Sequence, residues 1–239
     1  MGKTIISQAR GHGSLIYRVR RKGYMHRIKY PEPGIEGKAK IIKLVISAGH
    51  SAPLAKIIVK DKKGKNQIFY NLACVGAFEG QEINIGKTEE IKEGDIIKLQ
   101  DVQTGAFVYN IEARPGDGGK FVRSGGGSAI VLKKVGGKTS LKLPSKKTIE
   151  FDNKCRVSLG IIAADGRLEK PLLKAGKRHH IMKSKGRKWH FTSAVKMNAI
   201  DHPFGGGRGK RIKSKIAKRN APPGAKVGHI RPRQTGKKR

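Results

Sequence analysis

A chain of 239 residues with 36% apolar and 29% charged side chains can hold one large domain or two small ones around a modest core. Its 53 Lys and Arg against 17 Asp and Glu leave a formal net charge of +36, a self-repulsion that calls for a polyanionic partner. An anionic membrane fits less well as that partner than nucleic acid, because no apolar run approaches the roughly 18 residues of a span and the basic segments lack an apolar helical face. The expected partner is therefore nucleic acid. The opening MGKTIISQAR has no apolar signal core, and Ile6 stands where an N-myristoylation motif carries Ser or Thr, so a cytosolic, soluble chain is expected. The two cysteines, Cys74 and Cys155, lie in apolar strand-like runs without metal-site spacing; they are expected to be buried free thiols in a reducing compartment.

Charge is concentrated at the ends. Residues 1–34 carry eight basic and one acidic residue, residues 35–170 twenty-four and fifteen, and residues 171–239 twenty-one and one. The middle block reads as strands. KIIKLVI at 40–46, AKIIVK at 55–60 and QIFYNL at 67–72 are β-branched or aromatic runs, and the polar turn DKKGKN joins the last two into a hairpin. A second set follows GKTEEIKEGD: IIKLQ at 96–100, AFVYNIEA at 106–113, AIVLKKV at 129–135, TSLKLP at 139–144, KTIEF at 147–151 and CRVSLGII at 155–162. Turns such as RPGDGG, VGGK and FDNK space them at short intervals. Short strands at this spacing, with almost no helical periodicity, point to small Greek-key barrels. One short helix is expected at EKPLLKAGK, residues 169–177, with Pro171 in its first turn and Gly176 ending it. Beyond Lys177 the chain is too polar to bury a core of its own.

Two Gly-Lys-Thr pieces, GGKTS at 136–140 and GKTEE at 86–90, lack the glycine five positions earlier that a phosphate loop requires, since Leu132 and Gln81 stand there. Both read as turns. The segment Ala113 to Ala129, ARPGDGGKFVRSGGGSA, has six glycines with Arg114, Lys120 and Arg123. It reads both as a pair of permissive turns and as a place where backbone N–H groups and three cations reach phosphate. His179, His180 and His190 lie in a basic, irregular stretch without carboxylates or thiols nearby; hydrogen bonding or stacking on RNA suits them better than a metal. Trp189, Phe191 and Phe204 interleave with cations, as in proteins that stack unpaired bases.

The stretch Val195 to Arg211, VKMNAIDHPFGGGRGKR, gathers an acid, a histidine, two bends and a block of cations. In one reading Asp201 tightens the turn entered at Asn198, His202 hydrogen-bonds RNA, and Gly205, Gly206 and Gly207 let the chain pass RNA without side-chain clashes. Arg208, Lys210 and Arg211 then neutralise phosphates. In the other, His202 aided by Asp201 is a general base, although the sequence supplies neither a second fixed catalytic group nor an apolar pocket. A chromatin-type DNA binder fits less well, since no recognition helix is visible.

KMNAIDHPFGGGRGK closely resembles the signature of the universal second large-subunit ribosomal protein family, L-two. NIEARPGDGGKFVRSGGGSAIVL resembles the same family's central glycine-rich segment, and MGKTIISQARGHGS resembles its archaeal and eukaryotic branch. The resemblance runs over nearly the whole chain. It implies a mainly β fold, an OB-fold barrel followed by an SH3-like barrel with long basic irregular extensions. The implied division is a basic N-terminal extension over 1–34, an OB-fold RNA-binding domain over 35–88, an SH3-like barrel with a short C-terminal helix over 89–177, and a basic Gly/Arg/Lys-rich RNA-threading extension over 178–239. It also implies a structural constituent of the large subunit, not an enzyme, without cofactor or metal. The implied partners are large-subunit ribosomal RNA, neighbouring ribosomal proteins and, through an intersubunit contact, the small subunit; the implied roles are subunit association, tRNA binding and peptide-bond formation. Many bacterial relatives have a second His after the Pro and an acid after the glycines, where this chain has Phe204 and Arg208, so roles tied to those two residues do not carry over.

The expected RNA contacts are spread over the chain. At the N-terminus they are Arg10, Arg18, Arg20, Arg21, Lys22 and Arg27, and in the middle Arg114, Lys120 and Arg123. After the barrels come Lys177, Arg178, His179, His180, Lys185, Arg187, Lys188 and Trp189. In and beyond the signature they are Lys196, Asn198, His202, Gly205, Gly206, Gly207, Arg208, Lys210, Arg211, Lys213 and Lys215. His202 is also the one catalytic candidate.

Overall fold

The computed structural model describes residues 2–21, 23–61, 64–87, 90–207 and 215–232. It divides the chain into two compact units: Arg21–Leu173, and the two ends together, Met1–Arg20 with Lys174–Arg239.

The first unit is mainly β, as expected. Its strands are β1 (Gly37–Val45), β2 (Leu54–Lys60), β3 (Asn66–Leu72), β4 (Glu82–Ile85), β5 (Ile96–Lys98), β6 (Phe107–Tyr109), β7 (Ala129–Val135), β8 (Lys138–Lys142), β9 (Thr148–Asp152) and β10 (Arg156–Leu159). They pair in the order β3-β2-β1-β4-β5-β10-β6-β7-β8-β9, with antiparallel ladders throughout except for the parallel β4–β5 contact. The two strand sets match an OB-fold barrel followed by an SH3-like barrel.

Alternation explains the first set. In β2, Ile57 and Val59 are buried while Lys60 is exposed, and in β1 Ala39 and Ile41 point inward between exposed Lys38 and Lys40. A bulge between Ile41 and Lys43 shifts the register, so the apolar run after it changes face. The second set has its own cluster of buried side chains, including Ile97, Leu99, Val108, Val131, Leu141 and Val157. A third cluster, Ile28, Ala52, Leu54, Leu72, Cys74, Tyr109 and Ile162, takes residues from both sets. Both cysteines are free and buried. GGKTS proves to be a two-residue hairpin: Gly136 (φ 56°) and Gly137 (φ 78°) join Val135 to its partner Lys138.

Several sequence expectations need correction. Strand β4 was absent from them; Ile83 and Ile85 are buried, but four residues among polar neighbours carry little periodic signal. The run 106–113 keeps only Phe107–Tyr109 as strand, because Asn110 adopts φ 47° and turns the chain away. The run 155–162 ends as strand at Leu159, before Gly160 at φ 101°. Residues 28–35, expected largely within a basic arm, put Ile28, Tyr30 and Ile35 into the core, and Ile28 bridges to Tyr70.

The helix expected over 169–177 does not form. Pro171 disfavours a helical residue before it, Leu173 sits at φ 51° and Lys174 is extended. The helix instead runs over Ala175–Ser184, so Gly176 opens it rather than ends it. It belongs to the second unit, whose elements are α1 (Ile6–Ala9), α2 (Ala175–Ser184) and the parallel pair β11 (Ile216–Ala217) and β12 (His229–Ile230). His179 and His180, expected in irregular chain, are therefore helical. Helix α2 buries no residue, which explains why its sequence shows no apolar stripe.

Candidate nucleic-acid interface

The glycine-rich segment of the first unit is organised around two carboxylates. Glu112, with a fully buried side chain, accepts hydrogen bonds from the backbone N–H groups of Gly116 (3.2 Å), Gly118 (3.0 Å) and Arg156 (2.8 Å). The Arg156 guanidinium closes the arrangement, with Nη2 at 2.8 Å and Nε at 3.2 Å from Glu112 Oε1, and Nη1 donating to Pro31 O. Asp117 takes the N–H groups of Ala113, Arg114 and Gly119. Burial alone would raise its carboxyl, but those three donors hold it below the usual carboxylate range.

The second glycine cluster is closed in the same way, with Gly125 N–H on Ser51 Oγ, Gly126 N–H on Ile162 O and Gly127 N–H on Ser124 O. The expected cradle of backbone N–H groups for phosphate is therefore corrected at these positions, because those donors already have internal acceptors. The glycines serve close packing instead: a Cβ on Gly119 would overlap Asn110, and Gly119 lies at φ 92°. Of the three cations, Lys120 pairs with Asp117 at 3.4 Å. Arg123 donates to Gly119 O and Ile28 O, both at 3.1 Å, and Arg114 is exposed.

A second buried set fixes the first unit around Tyr30. Its hydroxyl lies 2.8 Å from both Asn110 O and Ser158 Oγ, and Asn71 Nδ2 donates to Ser158 Oγ at 2.9 Å. Burial pushes the Tyr30 phenol well above its ordinary range, so it stays protonated as a donor. Neither this set nor the Glu112–Arg156 pair was expected; the partners are too far apart in sequence for any spacing to show them.

The unit formed by the two ends has a different character. Ile5 and Ala217 are its buried apolar residues among those described, while Leu15, Ile16, Trp189, Phe191, Ile200, Ile216 and Ile230 are exposed. Cations lie over aromatic faces: Arg10 over Tyr17 at 5.9 Å, Arg178 over Trp189 at 5.7 Å, and Lys188 over Phe191 at 5.9 Å. Lys177, Arg178, His179 and His180 are exposed along α2, as are Arg18, Arg20, Arg187, Lys196, Asn198 and Lys215 elsewhere in this unit. Lys185 is half-buried near Gly186, which ends α2 at φ 61° and comes against Tyr17 and Val19. Arg21 and Arg27 are exposed on the β unit. Lys22, Arg208, Lys210, Arg211 and Lys213 lie outside the described residues.

The signature loop closes on itself. Asn198 O accepts the N–H groups of Asp201 (3.0 Å) and His202 (3.3 Å), and Gly206 N–H reaches Met197 O at 3.0 Å. Gly205 is buried, and a Cβ there would overlap Asn198 O. Gly206 and Gly207 have φ of 86° and 77°, open to glycine at little cost. The N-terminus docks on this loop: Lys3 N–H donates to Ile200 O at 2.8 Å, and Lys3 Nζ lies 3.4 Å from Asp201.

The suggested Asp201–His202 base is not assembled, since the two side chains turn to different partners. His202 Nδ1 accepts the N–H of Phe204 at 3.0 Å, which leaves the ring hydrogen on Nε2. The Phe204 ring lies 5.1 Å from the imidazole and comes against Gly228. His202 also lines a cavity of about 350 Å³ with Thr4, Gln8, Pro203 and Pro223. Among the described residues no group of three His, Cys, Asp or Glu could hold a metal, and no helix is long and apolar enough to cross a membrane.

Fold and surface define a class: a mainly β unit in the same chain as a strongly cationic unit set with aromatic side chains. Residues 92–224 match the family described as Ribosomal Proteins L2, C-terminal domain. Over its whole length the chain is similar to proteins named large ribosomal subunit protein uL2. That of Korarchaeum cryptofilum is 39% identical over 99% of this chain and 96% of its own length. That of Thermoplasma acidophilum is 41% identical over 98% and 97%, and that of Methanocaldococcus jannaschii 42% identical over 99% of both. The chain belongs to the uL2 family of large-subunit ribosomal proteins.

Proposed function

We propose that this member of the family binds large-subunit ribosomal RNA through the unit formed by its two ends. Family membership makes it a structural constituent of the large ribosomal subunit, working in the cytoplasmic ribosome beside ribosomal RNA and other ribosomal proteins. The observation that carries the RNA reading is one of composition and burial. Residues 1–20 with 174–239 hold twenty-five Lys and Arg against one acid, bury almost no apolar side chain, and set cations over exposed aromatics. Such a surface neutralises phosphates and stacks bases. Subunit association, support of tRNA binding and the contact with the small subunit extend the same reading.

His202 has a positioning role in this account. Its Nδ1 holds the Phe204 backbone and its Nε2–H is left to donate to RNA, so its support of peptide-bond formation is indirect and the protein is not an enzyme. The test is binding of large-subunit ribosomal RNA by the full chain at two salt concentrations. With roughly six to ten phosphate contacts, affinity falls by about three to five decades between 50 and 200 mM salt; a flat response in filter binding removes the electrostatic basis of the reading.

A further inference from the structure

One surface of the β unit has the opposite chemistry from the rest of the chain. Val75 (47% exposed), Phe78 (60%) and Ile91 (43%) reach solvent. The backbone brings their segments together: Val75 N–H donates to Ile161 O, Gly94 N–H to Leu159 O and Gly160 N–H to Phe107 O, and Gln81 Nε2 donates to Glu93 O. Glu93 packs beside Gly160, where an added Cβ would lie 3.5 Å from its side chain. A groove of about 270 Å³ opens here between Ile91, Val102, Gln103, Ala106 and Leu159.

The charges follow the same boundary. The four runs 74–81, 90–94, 102–107 and 159–162 contain Glu79, Glu90 and Glu93 and a single cation, Lys92, within a chain of net charge +36. Lys92 Nζ lies 3.2 Å from Glu90, so even that charge is answered locally. Glu79, Glu90 and Glu93 are exposed. Three exposed carboxylates against one locally paired cation in these runs disfavour phosphate here relative to the rest of the chain, with Lys43 beside Glu79 the one neighbouring cation from β1. Exposed apolar side chains on segments held together around a groove mark a protein contact, and the sign of the surrounding charge selects the partner.

We infer that this face docks an extended segment of a neighbouring ribosomal protein, one that carries Lys or Arg beside aliphatic side chains. The aliphatic groups fill the Ile91–Leu159 groove and cover Phe78 and Val75, while the cations meet Glu79, Glu90 and Glu93. The inference rests on the chain being a large-subunit protein, but not on how it holds RNA.

The experiment places the photoreactive residue p-benzoylphenylalanine at Phe78 of the full chain and irradiates purified large subunits. The expected product is a crosslink to a Lys/Arg-rich segment of one ribosomal protein. The same residue at Trp189 is the control, and there the crosslink is to RNA. In parallel, Glu90→Lys with Glu93→Lys depletes that same ribosomal protein from purified subunits several-fold, with the occupancy of this chain unchanged. Phe78 crosslinks to RNA or to a second copy of the chain, no Phe78 crosslink, or unaltered subunit composition in the double variant would overturn the inference. A protein crosslink from Phe78 with no RNA crosslink from Trp189 leaves the docking face standing and removes the RNA reading.

Discussion

The two units put the same alphabet to opposite uses. Residues 21–173 carry twenty-eight cations and sixteen acids, and the acids that matter most are inside: Glu112 and Asp95 are fully buried, each tied to several N–H donors. Cations there are often spent internally, as with Arg123 and Arg156. In the unit of the two ends, one acid is paired with Lys3, most of the other described cations are exposed, and apolar groups are exposed. A protein interior supplies the first unit's stability, whereas the second lacks apolar burial to offset its chain entropy. On the proposed function, RNA would supply that burial.

This contrast can be broken at Glu112. Removing one partner of a buried, hydrogen-bonded ion pair costs about 3–5 kcal/mol, so Glu112→Ala should lower the unfolding free energy of the β unit in a urea melt by that amount. Asp201→Ala, which removes an exposed pair, should change the same melt by less than about 1 kcal/mol. Equal effects would mean that the two units are not energetically distinct.

Gly205 tests the opposite unit. Gly205→Val forces the loop off Asn198 O and should prevent formation of complete large subunits, while leaving the melt of the β unit within about 0.5 kcal/mol. His202→Ala should be milder, giving fewer tRNA-competent particles and a near-normal single-turnover peptidyl transfer rate in those that form. A normal particle yield with the step slowed by about 10²–10⁴, the range of general acid–base catalysis, would restore His202 as a base.

The smallest effect is a pH dependence confined to the β unit. His50 lies below the ordinary imidazole range, first because burial disfavours its charged form and then because Arg123 and His26 are cationic neighbours. Its Nδ1 is 2.8 Å from Ser47 Oγ, which in turn donates to Gly23 O. As pH falls through about 6.5 the unfolded chain takes up the proton first. The stability His50 contributes is thus complete above that pH and is lost toward the lower folded value. Thermal midpoints should fall on mild acidification, and His50→Gln should flatten that part of the dependence.

How much of this could be read in the sequence follows the same division. Strands with β-branched alternation, such as Leu54–Lys60 and Ala129–Val135, were legible because one buried face imposes a period of two. The resemblance carried the family, and charge counting located the appendage. Helix α2 was not legible, since a helix with no buried face has no stripe, and Pro171 and Gly176 are stop and start signals that the left-handed Leu173 reassigns. The roles of the glycines were only half visible. Positive φ at Gly206 follows from residue type, but closure of Gly205 on Asn198 and of Gly119 on Asn110 depends on neighbours that only the folded chain supplies. The joining of the N-terminus to the signature loop through Lys3, Ile200 and Asp201 spans nearly the whole chain and leaves no local trace.

The central claim is that the β unit orders itself and the unit of the two ends orders on RNA. Amide hydrogen exchange of the full chain, free and bound to large-subunit ribosomal RNA, tests it directly. Free protein should show slow exchange in Leu54–Lys60, Ile96–Lys98 and Arg156–Leu159 and fast exchange in Ala175–Ser184 and residues 197–207, the latter two becoming protected on binding RNA. Protection of residues 197–207 in the free chain equal to that of the strands would contradict the account.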